Sequence, residues 1–329
     1  TLDLLVCCDI YQTETTRYAD VVLPGTSPFE ECHYDSFLGS MGYKNTARFS
    51  PAVFPSEQPD EWDIGLTLGY IATQQQVPNP SELRAFEDQV VAGAASAMAN
   101  DPDSGVYQAD VQDIMAQITP TRGVERLLDL GVRAGRYGDG FGRQKGLTLE
   151  AMAATPNGIE LGAIRPNRLP EIVTHENGCV DLAPALIIDD IGRLLATTPE
   201  TGFKLIGRRN TRSNNSWLRN LPMLAKGSAL CTLQLHPLDA EALGIAESDW
   251  VRVSSSAAEI TVQATLTADM RQGVVSLPHG FSAADDLPQS HLRPAANYND
   301  LIPADRVDQL GATTALNGIT VQLDKSVAP

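Results

Sequence analysis

The sequence predicts a partial doubly wound α/β region with a helical middle segment, residues 1–200, followed by a six-stranded β-barrel, residues 201–329. The length of 329 residues is enough for roughly two domains. The run Leu2–Cys8 is apolar except for Asp3, which is typical of a buried parallel strand. Short strand-like segments separated by tight turns fill the chain from Phe203 onward, which favours a closed or nearly closed barrel.

The α/β region begins with a strand, a loop and a second strand. The first strand ends before Asp9, Thr13 is placed to cap a short helical turn, and the second strand, Asp20–Leu23, ends at Pro24. Ligands of doubly wound sheets bind beyond the carboxyl ends of the strands. Residues 9–15 are therefore a candidate binding edge.

Three helices are predicted in the middle segment. They are Glu61–Ala72, capped by Asp60; a helix from Ser81 to about Asn100; and Gly123–Ala134. Five glycines among residues 135–146 indicate a flexible surface loop, and residues 155–184 are predicted to be an irregular return segment.

The predicted barrel strands follow in order. They are residues 203–207, 230–235, 250–255, 259–266, 273–277 and 318–324. A short helix is expected between the second and third strands, with His236 as its cap, Pro237 in its first turn and Gly244 after its end.

Composition limits the possible functions. A formal net charge of −17 argues against a nucleic-acid groove, which needs a broad basic surface. No apolar run reaches the roughly 18 residues of a membrane span. The five scattered cysteines form no C-x-x-C pair, so no metal or iron–sulfur site is predicted in this chain, and a reducing, cytoplasmic setting is expected. The chain starts at Thr1 inside an apolar strand, which we interpret as the C-terminal part of a longer protein, and an export signal upstream stays open.

The most informative segment is a basic loop on this acidic chain. Four arginines occur within twelve positions, separated by asparagines and serines: Arg208, Arg209, Arg212 and Arg219. Guanidinium groups match phosphate oxygens, and amides can pair with the edge of a heterocycle. The loop therefore predicts a site for a ligand with a pyrophosphate and a polar base. The alternative is a solvated basic loop that pairs with the protein's own carboxylates.

Five segments in order resemble the C-terminal part of the molybdopterin guanine dinucleotide oxidoreductases of the dimethyl sulfoxide reductase superfamily. They are Asp9–Thr15 with Ala19–Pro24, Thr155–Gly162, the Gly-Arg-Arg and Asn-Asn-Ser stretch of 207–216, His236–Val253, and Gly273–Phe281 with Asn297–Leu301. The resemblance implies a barrel of double-psi type that binds molybdopterin guanine dinucleotide. The chain departs from the family pattern at Ser248, where the family usually has Gly, and along Cys32–Arg48.

The resemblance also implies what the whole protein does. A protein of this superfamily carries out a two-electron oxidation or reduction of a small substrate, of formate or oxyanion type, at a molybdenum centre held by two such dinucleotides (bis-MGD). The molybdenum ligand and any iron–sulfur cysteines lie upstream of the part that resembles this chain. No catalytic residue is therefore assigned here, and the expected partners are the missing N-terminal part, a substrate and an electron-transfer protein. A non-catalytic subunit or scaffold that keeps the fold without the metal is the alternative, and a stand-alone barrel module is a second one.

The candidate cofactor contacts come from both predicted regions. They are Asp9, Thr13, Gly207, Arg208, Arg209, Asn214, Asn215, Ser216, His279, Asn297 and Asn299. For Asp9, helix capping is the alternative role. For the pair Asn297 and Asn299 it is turn chemistry, and for His279 it is a structural role.

Overall fold

The computed structural model of the protein describes residues 2–35, 41–198, 200–218, 221–224, 231–281 and 295–328. The described chain divides into two units, one of residues 1–11 and 19–174 and the other of residues 12–18 and 175–329. The predicted boundary between residues 200 and 201 stays a prediction. Among the described helices, none has both the length and the apolar character that a membrane crossing requires.

The first unit combines short strands with several helices in its described part. Its strands are β1 (Val6–Cys8), β2 (Val21–Leu23), β3 (His33–Tyr34), β4 (Lys44–Ala47), β5 (Phe49–Ser50) and β6 (Ile159–Ala163). Its longer helices are α1 (Glu61–Gln74), α2 (Pro80–Asn100), α3 (Val111–Gln117), α4 (Glu125–Ala134) and α5 (Leu149–Ala153), and α6 (Leu169–Ile172) is a single turn.

The described strands of the first unit form two-stranded sheets. β1 pairs in parallel with β2, β3 pairs with β5, and β4 pairs with β6. The prediction of a parallel strand near the N-terminus is confirmed, but its length and burial are wrong. The strand covers three residues instead of Leu2–Cys8, and the side chains of Leu2 and Leu4 are 76% and 61% exposed. An apolar run is buried only where another layer covers it, and a single neighbouring strand does not.

The three predicted helices are confirmed with small shifts of their ends. Asp60 caps α1 by accepting from the backbone N–H of Asp63. α2 begins at Pro80, one residue before the predicted start at Ser81, and its cap is Asn79, which forms a reciprocal capping box with Glu82. The helices α3 and α5 were not predicted, and neither were β6 and α6, which lie in the segment interpreted as irregular.

The glycine-rich segment 135–146 is a turn held by close packing, which the sequence did not predict. Gly138 is buried, and a Cβ atom on Gly146 would lie 2.1 Å from the carbonyl carbon of Gly138. Glycine is needed here because two backbone segments approach each other more closely than a side chain allows.

The second unit contains α7 (Ala185–Leu195) and a closed barrel. The barrel strands are β7 (Phe203–Arg208), β8 (Thr232–Leu235), β9 (Trp250–Ser254), β10 (Glu259–Leu266), β11 (Val274–Pro278) and β12 (Ile319–Ser326), and α8 (Pro237–Leu243) lies between β8 and β9. All six predicted strands and the predicted helix are present. His236 caps α8 with Nδ1, and Gly244 ends the helix at a φ of 66°.

The six strands close in the order β10-β8-β11-β7-β12-β9. β7 with β11 and β8 with β10 are parallel pairs, and the other neighbours are antiparallel. The interior is filled by a cluster of buried aliphatic side chains that includes Leu205, Leu233, Val251 and Val275, each fully buried. The fold class predicted from the sequence, α/β content with a six-stranded barrel, is confirmed.

Candidate functional site

The candidate residues between Gly207 and Ser216, together with His279, lie at the end where β7 and β11 finish, which we call the β7–β11 end. Because these strands are parallel, with Gly207 opposite Leu277 and Arg208 opposite Pro278, their carboxyl ends lie side by side. The antiparallel strand β8 begins at this end, and β12 runs antiparallel to β7 with Ile319 opposite Leu205. The β7–β11 end is therefore formed by residues 207–218, Thr232, His279, Gly280 and Asn317.

The guanidinium of Arg208 is partly buried and bonds to two neighbouring barrel strands. Its Nη1 donates to the carbonyl oxygen of Ser276 at 2.6 Å, and its Nη2 donates to the carbonyl oxygen of Thr232 at 2.6 Å and to that residue's Oγ1 at 3.2 Å. Burial lowers the pKa of the guanidinium to about 10, because the charged form is partly removed from water. Arg208 thus joins the ends of three strands, and its predicted contact with a ligand stays a prediction.

Arg209, the next residue, is in a different environment. Its side chain is exposed, and its Nη1 lies 3.3 Å from Nε2 of His279. Burial first, and then the positive charge of Arg209, lower the pKa of His279. A neutral imidazole can accept from Arg209 and so orient it. The predicted residues Arg209 and His279 are therefore neighbours that present a positive charge at the surface.

The loop after Arg209 is held by its own backbone and by one buried serine. Ser213 is 1% exposed, and its Oγ donates to the carbonyl oxygen of Asn210 at 3.1 Å. Asn214 and Asn215 follow with φ angles of 41° and 59°, which asparagine tolerates better than most residues. The side chains of Asn214, Asn215 and Ser216 are exposed, as a ligand-binding role requires. Arg219 lies outside the described residues.

Gly280 is a residue of this end that the sequence analysis did not select. Its φ is 86°, and a Cβ atom on it would lie 2.0 Å from the carbonyl oxygen of Asn215 and 3.1 Å from the backbone nitrogen of Ser216. The turn after β11 therefore packs directly on the peptide between Asn215 and Ser216. The signal in the sequence is a glycine that follows directly on a strand-ending Pro-His, where a turn with positive φ is common.

Position 207 requires glycine less strictly than position 280 does. Its N–H donates to Oδ1 of Asn317 at 2.9 Å, and a Cβ atom would meet only ordinary contacts, the nearest being Asn317 Oδ1 at 3.6 Å. The ring of Tyr298, which is 2% exposed, lies beside it and donates its hydroxyl to the carbonyl of Leu316. Burial raises the pKa of Tyr298 to about 12. Asn317 is a second residue that the sequence analysis missed.

The pair Asn297 and Asn299 belongs to a capped turn beside Tyr298. Oδ1 of Asn297 accepts from the N–H of Asn299 at 3.0 Å, and its Nδ2 donates to Oδ1 of Asp300 at 3.1 Å. The turn chemistry that was the alternative for Asn297 is thus present. The side chain of Asn299 is exposed.

Residues 12–18, which include Thr13, belong to the second unit together with the barrel. The side chains of Thr13 and Thr16 bond the backbone of each other's residue, so Thr13 starts the short helical turn as predicted. The next residue, Glu14, has a buried Oε1 without a hydrogen-bond partner among the described residues. The pKa of Asp300 is raised by burial first and then by the charge of Glu14. An acceptor oxygen therefore lies near the capped turn of Asn297–Asp300.

Asp9 lies at the carboxyl end of β1 in the first unit. Its Oδ1 accepts from the N–H of Tyr11 at 3.0 Å, and its own N–H donates to the carbonyl of Leu23 at 3.3 Å. Asp9 therefore closes a turn with one oxygen, close to the capping role that was its alternative. Over the described ranges, no group of three or more His, Cys, Asp or Glu side chains is arranged to hold a metal ion.

Comparison with known proteins agrees with this geometry. Residues 203–320, which contain five barrel strands, the start of β12 and the β7–β11 end, match the family described as the molydopterin dinucleotide binding domain. The barrel region is thus a domain of that family, and over nearly its whole length the chain is similar to the C-terminal portion of proteins of the dimethyl sulfoxide reductase superfamily.

Its curated relatives are much longer proteins. The chain is 24% identical to a tetrathionate reductase subunit of Salmonella typhimurium, over 92% of the chain and 34% of that protein. It is 23% identical to a putative dimethyl sulfoxide reductase catalytic subunit of Halobacterium salinarum, over 99% of the chain and 34% of that protein. It thus spans about a third of the relatives that it matches along most of its length.

A solved structure shows the same fold over most of the chain. Acetylene hydratase from Pelobacter acetylenicus superposes with a TM-score of 0.58 and 16% identity, over 98% of this chain and 40% of that one. At this identity, the similarity concerns the fold alone.

Proposed function

We propose that the β7–β11 end binds the dinucleotide part of molybdopterin guanine dinucleotide in a longer molybdenum oxidoreductase. The observation that carries the proposal is the exposed, histidine-oriented guanidinium of Arg209 beside a loop of exposed amides that Gly280 holds in place. A guanidinium and amide groups on a fixed turn suit a pyrophosphate with a polar base.

The described residues fit such a ligand on two grounds. The exposed groups of Arg209, Asn214 and Asn215 are donors for phosphate oxygens, whereas Nη1 and Nη2 of Arg208 already bond strand carbonyls. Glu14 offers a buried acceptor oxygen without a partner in the described part of the unit, which an N–H of a base would satisfy. We therefore assign Arg209 and the loop amides to ligand contact, Arg208 to holding the strand ends together, and Glu14 to accepting an N–H.

The bound cofactor would supply the redox chemistry, and this chain would bind and orient it. The proposal includes the bis-form of the cofactor, an iron–sulfur cluster elsewhere in the polypeptide, a small substrate of formate or oxyanion type, an electron-transfer partner and a cytoplasmic location. It also includes a further N-terminal part of the same polypeptide that holds the molybdenum ligand, so residues 1–329 alone should show no turnover.

The alternative is a non-catalytic subunit that keeps this fold without the metal. The two differ in the rest of the polypeptide: a molybdenum ligand and cluster-binding cysteines there favour the enzyme. Turnover by the purified 329-residue chain supplied with cofactor and an artificial electron acceptor would contradict the proposal that the molybdenum ligand lies outside residues 1–329.

The binding proposal is tested by the cofactor content of the full-length protein. Arg209→Ala removes an exposed guanidinium from the β7–β11 end, and Arg252→Ala removes one from β9, where it pairs with Asp324 at 2.9 Å. A charge-assisted hydrogen bond contributes about 1.5–3 kcal/mol, so Arg209→Ala should weaken cofactor binding about 10- to 100-fold. Molybdenum and guanine nucleotide per purified chain should fall in Arg209→Ala and stay unchanged in Arg252→Ala. Equal contents in both variants would leave the loop a solvated basic surface.

A further inference from the structure

Helix α7 has an apolar face that is open to solvent. The five side chains on this face follow helical spacing and are between 45% and 80% exposed: Ile187, Ile188, Ile191, Leu194 and Leu195. No residue of α7 is buried. An amphipathic helix of a folded domain normally places such a stripe against a core.

The opposite face of α7 carries its charges. Asp189, Asp190 and Arg193 lie there, and Arg193 bonds Asp190 through Nε at 2.5 Å and Nη2 at 3.0 Å. The pKa of Arg193 is raised, first by these bonds and to a smaller extent by the charge of Asp308 in the same unit. The charged face thus interacts electrostatically with Asp308 of the same unit. The described residues of the unit bury none of the side chains on the apolar face.

An isolated helix of this length is marginal in water. Helices shorter than about 12 residues gain too few hydrogen bonds to offset nucleation, so most of their stability comes from packing of the apolar face. A contiguous exposed stripe of isoleucine and leucine is typical of a surface that another structure covers. The segment 185–195 therefore needs an occupant for its apolar face.

The occupant that the observations favour is the rest of a longer polypeptide. The chain spans about a third of each of the two reductase proteins that it matches along most of its length, so a protein of that length has ample chain to cover α7. A membrane surface fits less well. Helices that lie on membranes carry lysine and arginine on the polar face, whereas this face has two aspartates and one arginine on a chain with a net charge of −17.

We propose that the apolar face of α7 is the docking surface for the part of the full-length polypeptide that lies outside residues 1–329. The proposal rests on the longer protein of the proposed function, but not on any cofactor contact. It predicts that the backbone amides of α7 are protected from hydrogen exchange in the full-length protein and exchange freely in the 329-residue chain.

The test is amide hydrogen exchange of residues 185–195 in both proteins. We expect exchange at least about tenfold slower in the full-length protein, because docking adds a free energy of opening. The double substitution Ile187→Glu and Ile191→Glu should abolish this protection, since it places unpaired charges in the interface. Arg193→Glu changes the net charge by the same amount on the opposite face and should leave the protection intact.

Three results would overturn the proposal. The first is equal exchange of α7 in the two proteins. The second is protection in the 329-residue chain that grows with protein concentration, which would make a second copy the occupant. The third is protection that appears only with anionic vesicles, which would make it a lipid surface. Molybdenum and guanine contents, measured on the same preparations, separate these results from a failure of the proposed function: a docked α7 in a cofactor-free protein would contradict only the latter.

Discussion

The barrel and the parallel pair β1–β2 use apolar strands in two different ways. Each barrel strand has two neighbours, and side chains such as Leu205, Leu233 and Val275 are fully buried inside. β1 and β2 have only each other in the described chain, and Leu4 before β1 is 61% exposed. Similar aliphatic sequences therefore contribute differently to stability. Closure of the barrel removes both sheet edges and completes a core, whereas the open pair β1–β2 leaves its apolar surface in water.

The largest expected effect tests this contrast directly. Leu233→Ala should lower the free energy of unfolding of the barrel by about 2–5 kcal/mol, because it empties part of a closed core. The matched substitution Leu4→Ala should change it by less than about 0.5 kcal/mol. The measurement is urea unfolding of the 329-residue chain, followed by amide exchange in β8 and β11. Comparable losses in the two variants would show that Leu4 is packed and that the contrast is wrong.

A second pair of variants tests whether the β7–β11 end is as tightly built as the core beneath it. Gly280→Ala should destabilise the barrel by roughly 2–4 kcal/mol, because its Cβ would collide with the Asn215 carbonyl at a positive φ. Gly207→Ala is the control, since its Cβ meets nothing nearer than 3.6 Å and should cost less than about 1 kcal/mol. Thermal melts of both variants measure the difference. A stable Gly280→Ala protein would mean that the loop 210–218 is not held by this turn.

The third prediction separates the two adjacent arginines. Arg208→Ala should cost about 1–3 kcal/mol of stability, because the carbonyls of Ser276 and Thr232 lose their donor. Arg209→Ala, with an exposed side chain, should leave the melting temperature unchanged within error while lowering cofactor content. Melting temperatures of the cofactor-free proteins give the comparison. If Arg209→Ala were the less stable variant, the assignment of the two roles would be reversed.

The smallest expected effect is on the titration of His279. Its pKa lies below the ordinary value of about 6.5, with burial as the larger cause and Arg209 as the smaller one. The unfolded chain thus binds the proton first, so this group lowers stability as pH falls from about 6.5 through the folded pKa. Arg209→Ala should raise the pKa of His279 but leave it below the ordinary value. An NMR titration of the imidazole measures this shift, and an unchanged pKa would show that the two side chains do not interact in solution.

The sequence by itself determined the local features of this protein. Strand-like runs between turn signals predicted all six barrel strands, and capping residues predicted α1 and α8, because these signals depend on neighbours in the chain. The basic loop followed from its arginine and amide residues, and His279 became a candidate because it lies in one of the segments that resemble the family.

Only the tertiary structure decided which of these groups already form hydrogen bonds within the fold. Arg208 is bound by carbonyls 24 and 68 residues away, and Gly207 by an amide 110 residues away, so the sequence did not show that Arg208 holds strands whereas Arg209 faces solvent. The need for glycine at position 280 comes from a backbone contact with Asn215, and the open faces of β1 and α7 depend on what covers them. Burial and pairing are properties of surfaces that meet, and contacts between residues far apart in the chain have no local signal.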